Sequence, residues 1–181
     1  MIEQAEQQEQ EQADLQFMQR AFELAQQAES FDEIPVGAVI VHQGKIIGEG
    51  FNQSIMLNDP SSHAEMNAIR QAGKQLNNYR LLDCTLYVTL EPCSMCAGLL
   101  VHSRIKRLVF ASTDLKTGAA GSALNLIDNP QLNHQIAVSS GIMQEQCSKL
   151  LSDFFKRRRA EKKAKKKSKK LMIEVNKEQK T

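Results

Sequence analysis

His63-Ala64-Glu65 is followed, after 26 intervening residues, by Pro92-Cys93-Ser94-Met95-Cys96. One imidazole and two thiols are nitrogen and sulfur donors that suit zinc, and a carboxylate can carry protons. A catalytic zinc takes three protein ligands and keeps a fourth position for water; His63, Cys93 and Cys96 make three. The two cysteines lie three residues apart, on one face if the segment opens a helix. The unpaired N–H groups and positive dipole end of such an opening turn favour thiolates over thiols. Glu65 is two residues from His63, so within a regular helix the two side chains point in different directions. Ligand and proton carrier would then reach a bound water from different sides. Water on zinc ionises near neutral pH. Glu65 would take its proton and return protons to a ring nitrogen and to departing ammonia. The expected chemistry is hydrolytic removal of an amino group from a ring carbon.

The competing reading is a structural zinc site completed by further cysteines, for which only Cys84 and Cys147 remain. Cys147 falls in the apolar helical series Met143, Cys147, Leu150, Leu151, Phe154 and is expected in the core. Cys84 opens a strand-like run and has no ligand-type spacing. His102, six residues after Cys96, lies well off the Cys96 face and is expected at the surface or near the end of that helix.

A chain of 181 residues, 41% hydrophobic, fits one domain with a sizeable core. No run is long enough to span a bilayer and the N-terminus lacks the pattern of a secretory signal, so a cytoplasmic location is expected. Four cysteines, two in a metal-type pair, suit a reducing compartment. The net charge of +2 conceals an asymmetry: residues 1 to 155 hold 10 Lys/Arg against 18 Asp/Glu, and residues 156 to 181 hold 13 against 3. The organisation expected is a Gln/Glu-rich lead-in over residues 1–13, a zinc-binding domain over 14–160 and a basic tail over 161–181. The lead-in is expected to be disordered or a loose helical extension. The tail either continues the preceding helix as a cationic rod or frays into a solvated segment. It suits a polyanion, with salt-sensitive binding, or serves only to solubilise.

These side chains need a scaffold. Leu15, Met18, Phe22 and Ala25 predict an amphipathic helix over 14–29. Strand-like runs at 36–41 and 45–50 are joined by His42-Gln43-Gly44, read as a three-residue hairpin loop with Gly44 left-handed. Asp59-Pro60-Ser61-Ser62 predicts a helix start, capped by Asp59 or later by Ser61, with His63 and Glu65 in its first turns and an end near Gly73. A strand over 85–90 delivers Glu91-Pro92 to a helix carrying Cys93 and Cys96, and a strand over 104–110 follows, which implies a right-handed parallel crossover. A last strand is expected over 135–138 and a last long helix from Ile142. The loop 117–122 is rich in small residues but lacks the Gly-Lys-Ser/Thr ending of a phosphate loop. The architecture expected is α/β, a three-layer α/β/α sandwich around a mixed central sheet.

On that scaffold, residues 14 to about 160 resemble the bacterial tRNA-specific adenosine deaminases of the cytidine deaminase-like superfamily. The resemblance rests on the zinc motif and on Glu33-Ile34-Pro35-Val36-Gly37-Ala38-Val39, Gly48-Glu49-Gly50-Phe51-Asn52, Asn78-Tyr79-Arg80-Leu81, Val88-Thr89-Leu90-Glu91-Pro92-Cys93, Lys116-Thr117-Gly118-Ala119-Ala120-Gly121-Ser122 and Leu151-Ser152-Asp153-Phe154-Phe155. Cytidine, cytosine and guanine deaminases share the zinc motif, so the flanking segments decide the substrate. The resemblance implies one zinc ion per subunit, homodimers in which both subunits shape each RNA site, and conversion of adenosine to inosine at the wobble position of a tRNA anticodon, chiefly of an arginine tRNA. By the same resemblance Asn52 would bond the flipped base, Asp114 and Lys116 would lie along the anticodon loop, and Phe155 with Arg158 would bind flanking nucleotides. Each also has a plain structural reading: a turn-stabilising Asn52, a capping Asp114, a core Phe155, solvated Lys116 and Arg158. An anticodon loop already presents unstacked bases, which lowers the cost of flipping. The rival functions are a deaminase of free nucleobases or nucleosides and a non-catalytic RNA-binding subunit. Glu65 argues against the second, since a structural site needs no proton shuttle.

Overall fold

Every second residue of the strand β1 (Gly37–His42) faces a different core. Ala38 and Ile40 pack into one apolar cluster, Val39 and Val41 into another, and all four are buried. A strand covered on both faces loses the polar alternation of a half-exposed one, which is why this segment reads as a continuous apolar run. The same split recurs further along. Leu86 and Val88 oppose Tyr87, and Leu108 and Phe110 oppose Val109 and Ala111. Each of the valine, leucine, isoleucine and phenylalanine side chains among them contributes roughly 1.5–3 kcal/mol by burial before entropy is counted. A computed structural model describes the backbone over residues 2–178 and the side chains of residues 4–169.

Within that range the elements run α1 (Ile2–Ser30), β1, β2 (Lys45–Phe51), α2 (Ser54–Leu57), α3 (Ala64–Leu76), β3 (Cys84–Leu90), α4 (Ser94–Ser103), β4 (Arg107–Ser112), β5 (Ala137–Ser140) and α5 (Gln144–Glu178). The sheet order is β2-β1-β3-β4-β5, antiparallel through β3 and parallel from β3 to β5. One face carries α3 and α4, with Ala64, Ala68, Ala97 and Leu100 in its core. The other carries α1 and α5, with Met18, Leu24 and Cys147. This is the expected three-layer sandwich with a mixed sheet.

Several boundaries differ from the sequence reading, each for a local reason. The first helix begins at Ile2 instead of residue 14, because the Gln- and Glu-rich lead-in has good helix propensity and no breaker. The hairpin loop has two residues. His42 pairs with Lys45, and Gln43 and Gly44 both take positive φ, 50° and 72°, the primed turn that matches strand twist. The short helix α2 lies in a stretch read as loop. Asp59 accepts from Ser61 in a turn before α3 and does not cap it; α3 starts later, with His63 as N-cap. Arg104 is the left-handed C-cap of α4, φ 61°, so β4 starts after it. The last strand lies two residues later than expected, at Ala137–Ser140.

Two contacts fix the layers that hold the site. Gly48 and Gly50 of β2 lie so close to α3 that a β-carbon at either would meet the backbone of Ala68 and Ala72, or of Ala64 and Ala68. On the other face Asp14 is buried and receives Arg107 through both terminal guanidinium nitrogens, at 2.7 and 2.6 Å, and the Tyr87 hydroxyl at 2.7 Å. This network fastens α1 to β3 and β4. Among the described residues no helix is long and apolar enough to cross a membrane.

Candidate zinc centre and active-site cavity

Both segments that carry the motif begin helices at the motif itself. His63 is the N-cap of α3 and Cys93 the N-cap of α4, and neither uses its side chain to cap. The imidazole and thiol are thereby free to point away from their helices, and two positive helix ends converge where thiolates would sit. The missing cap on α3 is supplied from the end of the strand it packs on: Asn52, just after β2, accepts from Ala64 N at 2.9 Å. The Asn52 carbonyl being so engaged, its NH2 has no partner among the described residues and is the donor left for the cavity it lines.

His63 Nδ1 lies 3.7 Å from Cys93 Sγ and 3.6 Å from Cys96 Sγ, and the three donor atoms lie within 4.8 Å of one another. Tetrahedral bonds of about 2.3 Å to sulfur and about 2.05 Å to nitrogen place N and S about 3.6 Å apart. The donor set and its spacing therefore fit zinc with a fourth position unfilled by protein. Among the described residues no other His, Cys, Asp or Glu joins the group. Cys84, buried at the opposite end of β3, and Cys147, buried in the α1/α5 core, stay apart from it, and His102 is exposed in the last turn of α4.

The thiols are already unequal. The hydrogen bond from Cys96, then that with His63, holds Cys93 down to about 4, and Cys93 together with burial pushes Cys96 up. The hydrogen bond to Cys93 raises His63. Glu65, in the first turn of α3, is 4% exposed, and burial raises its carboxyl above its ordinary value. A buried carboxyl with a raised proton affinity, beside the donor set, is of the kind that serves as a general acid and base.

These groups open into a cavity of about 660 Å³ at the carboxyl ends of β3 and β4, the usual place for ligands in an α/β sheet. Of the residues expected at the site, Asn52, His63, Glu65, Cys93, Asp114, Lys116 and Phe155 all line it, and Cys96 is fully buried behind. Arg158 does not line it: its guanidinium turns to Glu161 at 3.4 Å and Asp32 at 3.8 Å. Arg159 lines the cavity in its place, one helical turn beyond Phe155, which is itself one turn beyond Leu151. That spacing was available in the sequence.

One residue of the site escaped sequence reasoning. Glu91, buried after β3, accepts from the backbone N–H groups of Asp114 at 2.9 Å, Ala120 at 3.0 Å and Ser122 at 3.0 Å, and from the Ser122 hydroxyl. The small-residue loop is thus wrapped around a carboxylate. It is tied to the cysteine segment by a hydrogen bond from Ala119 N to Pro92 O, 2.8 Å, and a bridge between Cys93 and Gly118. Asp114 in turn orders the backbone of Lys116 and Thr117, so both residues expected along an RNA loop hang from Glu91. No motif spacing announces this, because the partners are backbone groups 23 to 31 residues away.

A mixed sheet with a His/Cys/Cys donor set, a buried carboxyl and a cavity at the strand ends defines a zinc-dependent deaminase of the cytidine deaminase type. Accordingly residues 11–112 match the family model of the cytidine and deoxycytidylate deaminase zinc-binding region. The chain is 55% identical over 150 residues to the tRNA-specific adenosine deaminase of Haemophilus influenzae, covering 82% of this chain and 87% of that one. It is 43% identical over 146 residues to that of Bacillus subtilis, covering 81% and 91%. A solved structure from studies of A-to-I editing by tRNA:A34 deaminases at the wobble position of transfer RNA superposes with a TM-score of 0.73 and 39% identity, covering 75% of this chain and 99% of that one. The protein belongs to the tRNA-specific adenosine deaminase family.

Proposed function

We propose that this protein hydrolyses adenosine to inosine, releasing ammonia, at the wobble position of a tRNA anticodon, with an arginine tRNA as the principal substrate. The observation that carries this reading is the convergence on one cavity of His63, Cys93, Glu65 and Asn52, in a chain like the tRNA:A34 deaminases over three quarters of its length. His63, Cys93 and Cys96 would hold the zinc ion, which when bound supplies a water acidified to near neutrality. Glu65, raised by burial, takes a proton at the start of the reaction and returns protons to the purine ring nitrogen and the departing amine. The Asn52 NH2 donates to the extruded base and sets which edge faces Glu65. Ile34, Val36 and Leu90 supply apolar lining, which keeps bulk water from the ring.

Around the mouth, Asp114, Lys116 and Phe155 act on nucleotides flanking the target base. Phe155 is 38% exposed, so an aromatic face is open for stacking. Arg158 serves the same RNA from beside its acidic partners, and Arg159 from the cavity wall. The active form is a homodimer; exposed Ile55, Met56 and Leu57 on α2 offer apolar surface for a second copy. The site of action is the cytoplasm.

The test is incubation of zinc-loaded protein with an arginine tRNA transcript bearing an ACG anticodon, reading inosine at the wobble position, with free adenosine and Glu65→Ala in parallel. Inosine in the tRNA alone, and only with Glu65 present, is the expected result. Turnover of free adenosine without editing of tRNA overturns the reading in favour of small-molecule deamination.

A further inference from the structure

Helix α5 runs without interruption from Gln144 to Glu178, and its cavity-facing side does not end at the cavity. Leu151, Phe155 and Arg159 line the site. Continuing at intervals of three and four residues, the same face carries Lys162, Lys166 and Lys169. At 3.6 residues per turn these six positions fall within an arc of about 80°, and Lys169 lies about 21 Å along the axis from Phe155. None of the lysines from 162 to 169 has an ion-pair partner among the described residues, whereas Arg157, on the other side, and Arg158, at the edge of the stripe, are held by Glu29, Asp32 and Glu161. Arg157 also lies over the Phe154 ring, at 5.3 Å. Those contacts fix the helix against α1 and set which face stays open.

Resting on the deaminase reading above, we propose that this stripe binds the paired stem adjoining the loop whose base enters the cavity. With 10 Lys/Arg against 18 Asp/Glu, residues 1–155 carry a net negative charge that repels a polyanion, so the general electrostatic attraction for RNA falls to the cationic end. Residues 156–169 contain no aromatic side chain. Single-strand binding draws on aromatic stacking, and that resource stops at Phe155. Beyond it the stripe offers point charges alone, which suit the phosphates of a duplex and position it without reading sequence. Phe155 and Arg159 hold the loop, and the lysines hold the stem.

The experiment compares zinc-loaded full-length protein with two triple variants of equal charge. One removes stripe lysines, Lys162→Gln, Lys166→Gln and Lys169→Gln; the other removes Lys163→Gln, Lys165→Gln and Lys167→Gln. Each is titrated across a salt series with an anticodon stem-loop hairpin, with the loop as a single-stranded oligonucleotide, and with phosphatidylserine vesicles. Expected is a loss of hairpin affinity of roughly tenfold or more in the stripe variant, and a salt slope smaller by about 2 to 3. The other variant should lose less than half as much, and affinity for the loop oligonucleotide should not change. Equal losses in the two variants, an equal loss on the loop oligonucleotide, or a loss confined to vesicles overturns the proposal. Inosine in the hairpin at saturating RNA separates it from the reading beneath. Stripe-dependent hairpin binding with no inosine from any form sinks the deaminase assignment and upholds the stripe. Inosine from all three with unchanged affinity does the reverse.

Discussion

Gly118 lies against Glu91 so closely that a β-carbon at residue 118 would clash with the carboxyl group of residue 91. The carboxylate fills the place a side chain would need, and the loop closes around it. Burial alone would raise Glu91, but the hydrogen bonds from Ser122, Asp114 and Ala120 outweigh it and hold the carboxyl below its ordinary value.

Glu91→Ala therefore leaves three half-buried N–H donors without their acceptor, a loss of about 1–3 kcal/mol. The expected outcome is a lowered melting temperature and a raised KM for RNA with zinc content intact. An unchanged melting temperature and KM would show that the loop keeps its shape without the carboxylate. Gly118→Ala should reproduce the defect by displacing Glu91.

Glu65→Gln removes the proposed proton carrier while preserving shape. Turnover should fall by a factor of at least about 10² to 10⁴, the usual share of general acid–base catalysis, with one zinc per subunit retained. Cys93→Ala should lose the metal. Metal analysis and single-turnover inosine assays decide both, and a zinc-replete Cys93→Ala protein would count against its ligand role.

Asp14 gives the fold an acid-sensitive joint. Burial would raise its carboxyl; the hydrogen bonds from Arg107, Tyr87 and Gln10 outweigh that and lower it. A group depressed in the folded state contributes stability that is present above its unfolded value, about 3.9, and is lost as pH falls through the folded value. Asp14→Asn should cost about 3 kcal/mol at neutral pH by stranding Arg107. Its urea midpoint should fall less than that of the wild type on acidification below about pH 4. Parallel pH profiles for the two proteins would remove Asp14 from the account.

Gly50→Ala tests how tightly α3 is seated. The new methyl would meet the backbone of Ala64 and Ala68, the turn between His63 and the helix body. Overpacking of this kind costs roughly 1–3 kcal/mol. Zinc affinity should drop together with stability, read by chelator competition; a loss of stability alone would mean that α3 shifts as a unit without disturbing His63.

The layers and the donor set were legible in the sequence because both rest on local regularities. Strand runs such as 36–41 and 85–90 are continuous because both faces are covered, and the ligands keep a fixed spacing. The capping of α3 was not legible. Asp59 and Ser61 are good local caps, but His63 is required at the helix start and the bond comes from Asn52, a partner that only the fold brings near. Glu91 was hidden for the same reason, since it serves distant backbone. Arg158 and Arg159 were separable by the four-residue rhythm from Leu151, yet the resemblance directed attention to the former.

The donor set joins parts of the chain that fold by different rules. His63 belongs with the hairpin and α3, whose contacts are short in sequence, and Cys93 and Cys96 belong with the β3-α4-β4 crossover, 30 and 33 residues further on. Ligand atoms from both units must meet before the site is complete, so metal binding is coupled to the docking of the two halves and would act as a clasp across them. Loss of the metal would first be felt as freedom between those halves, in faster amide exchange at the opening turns of α3 and α4, while the sheet behind them stays intact.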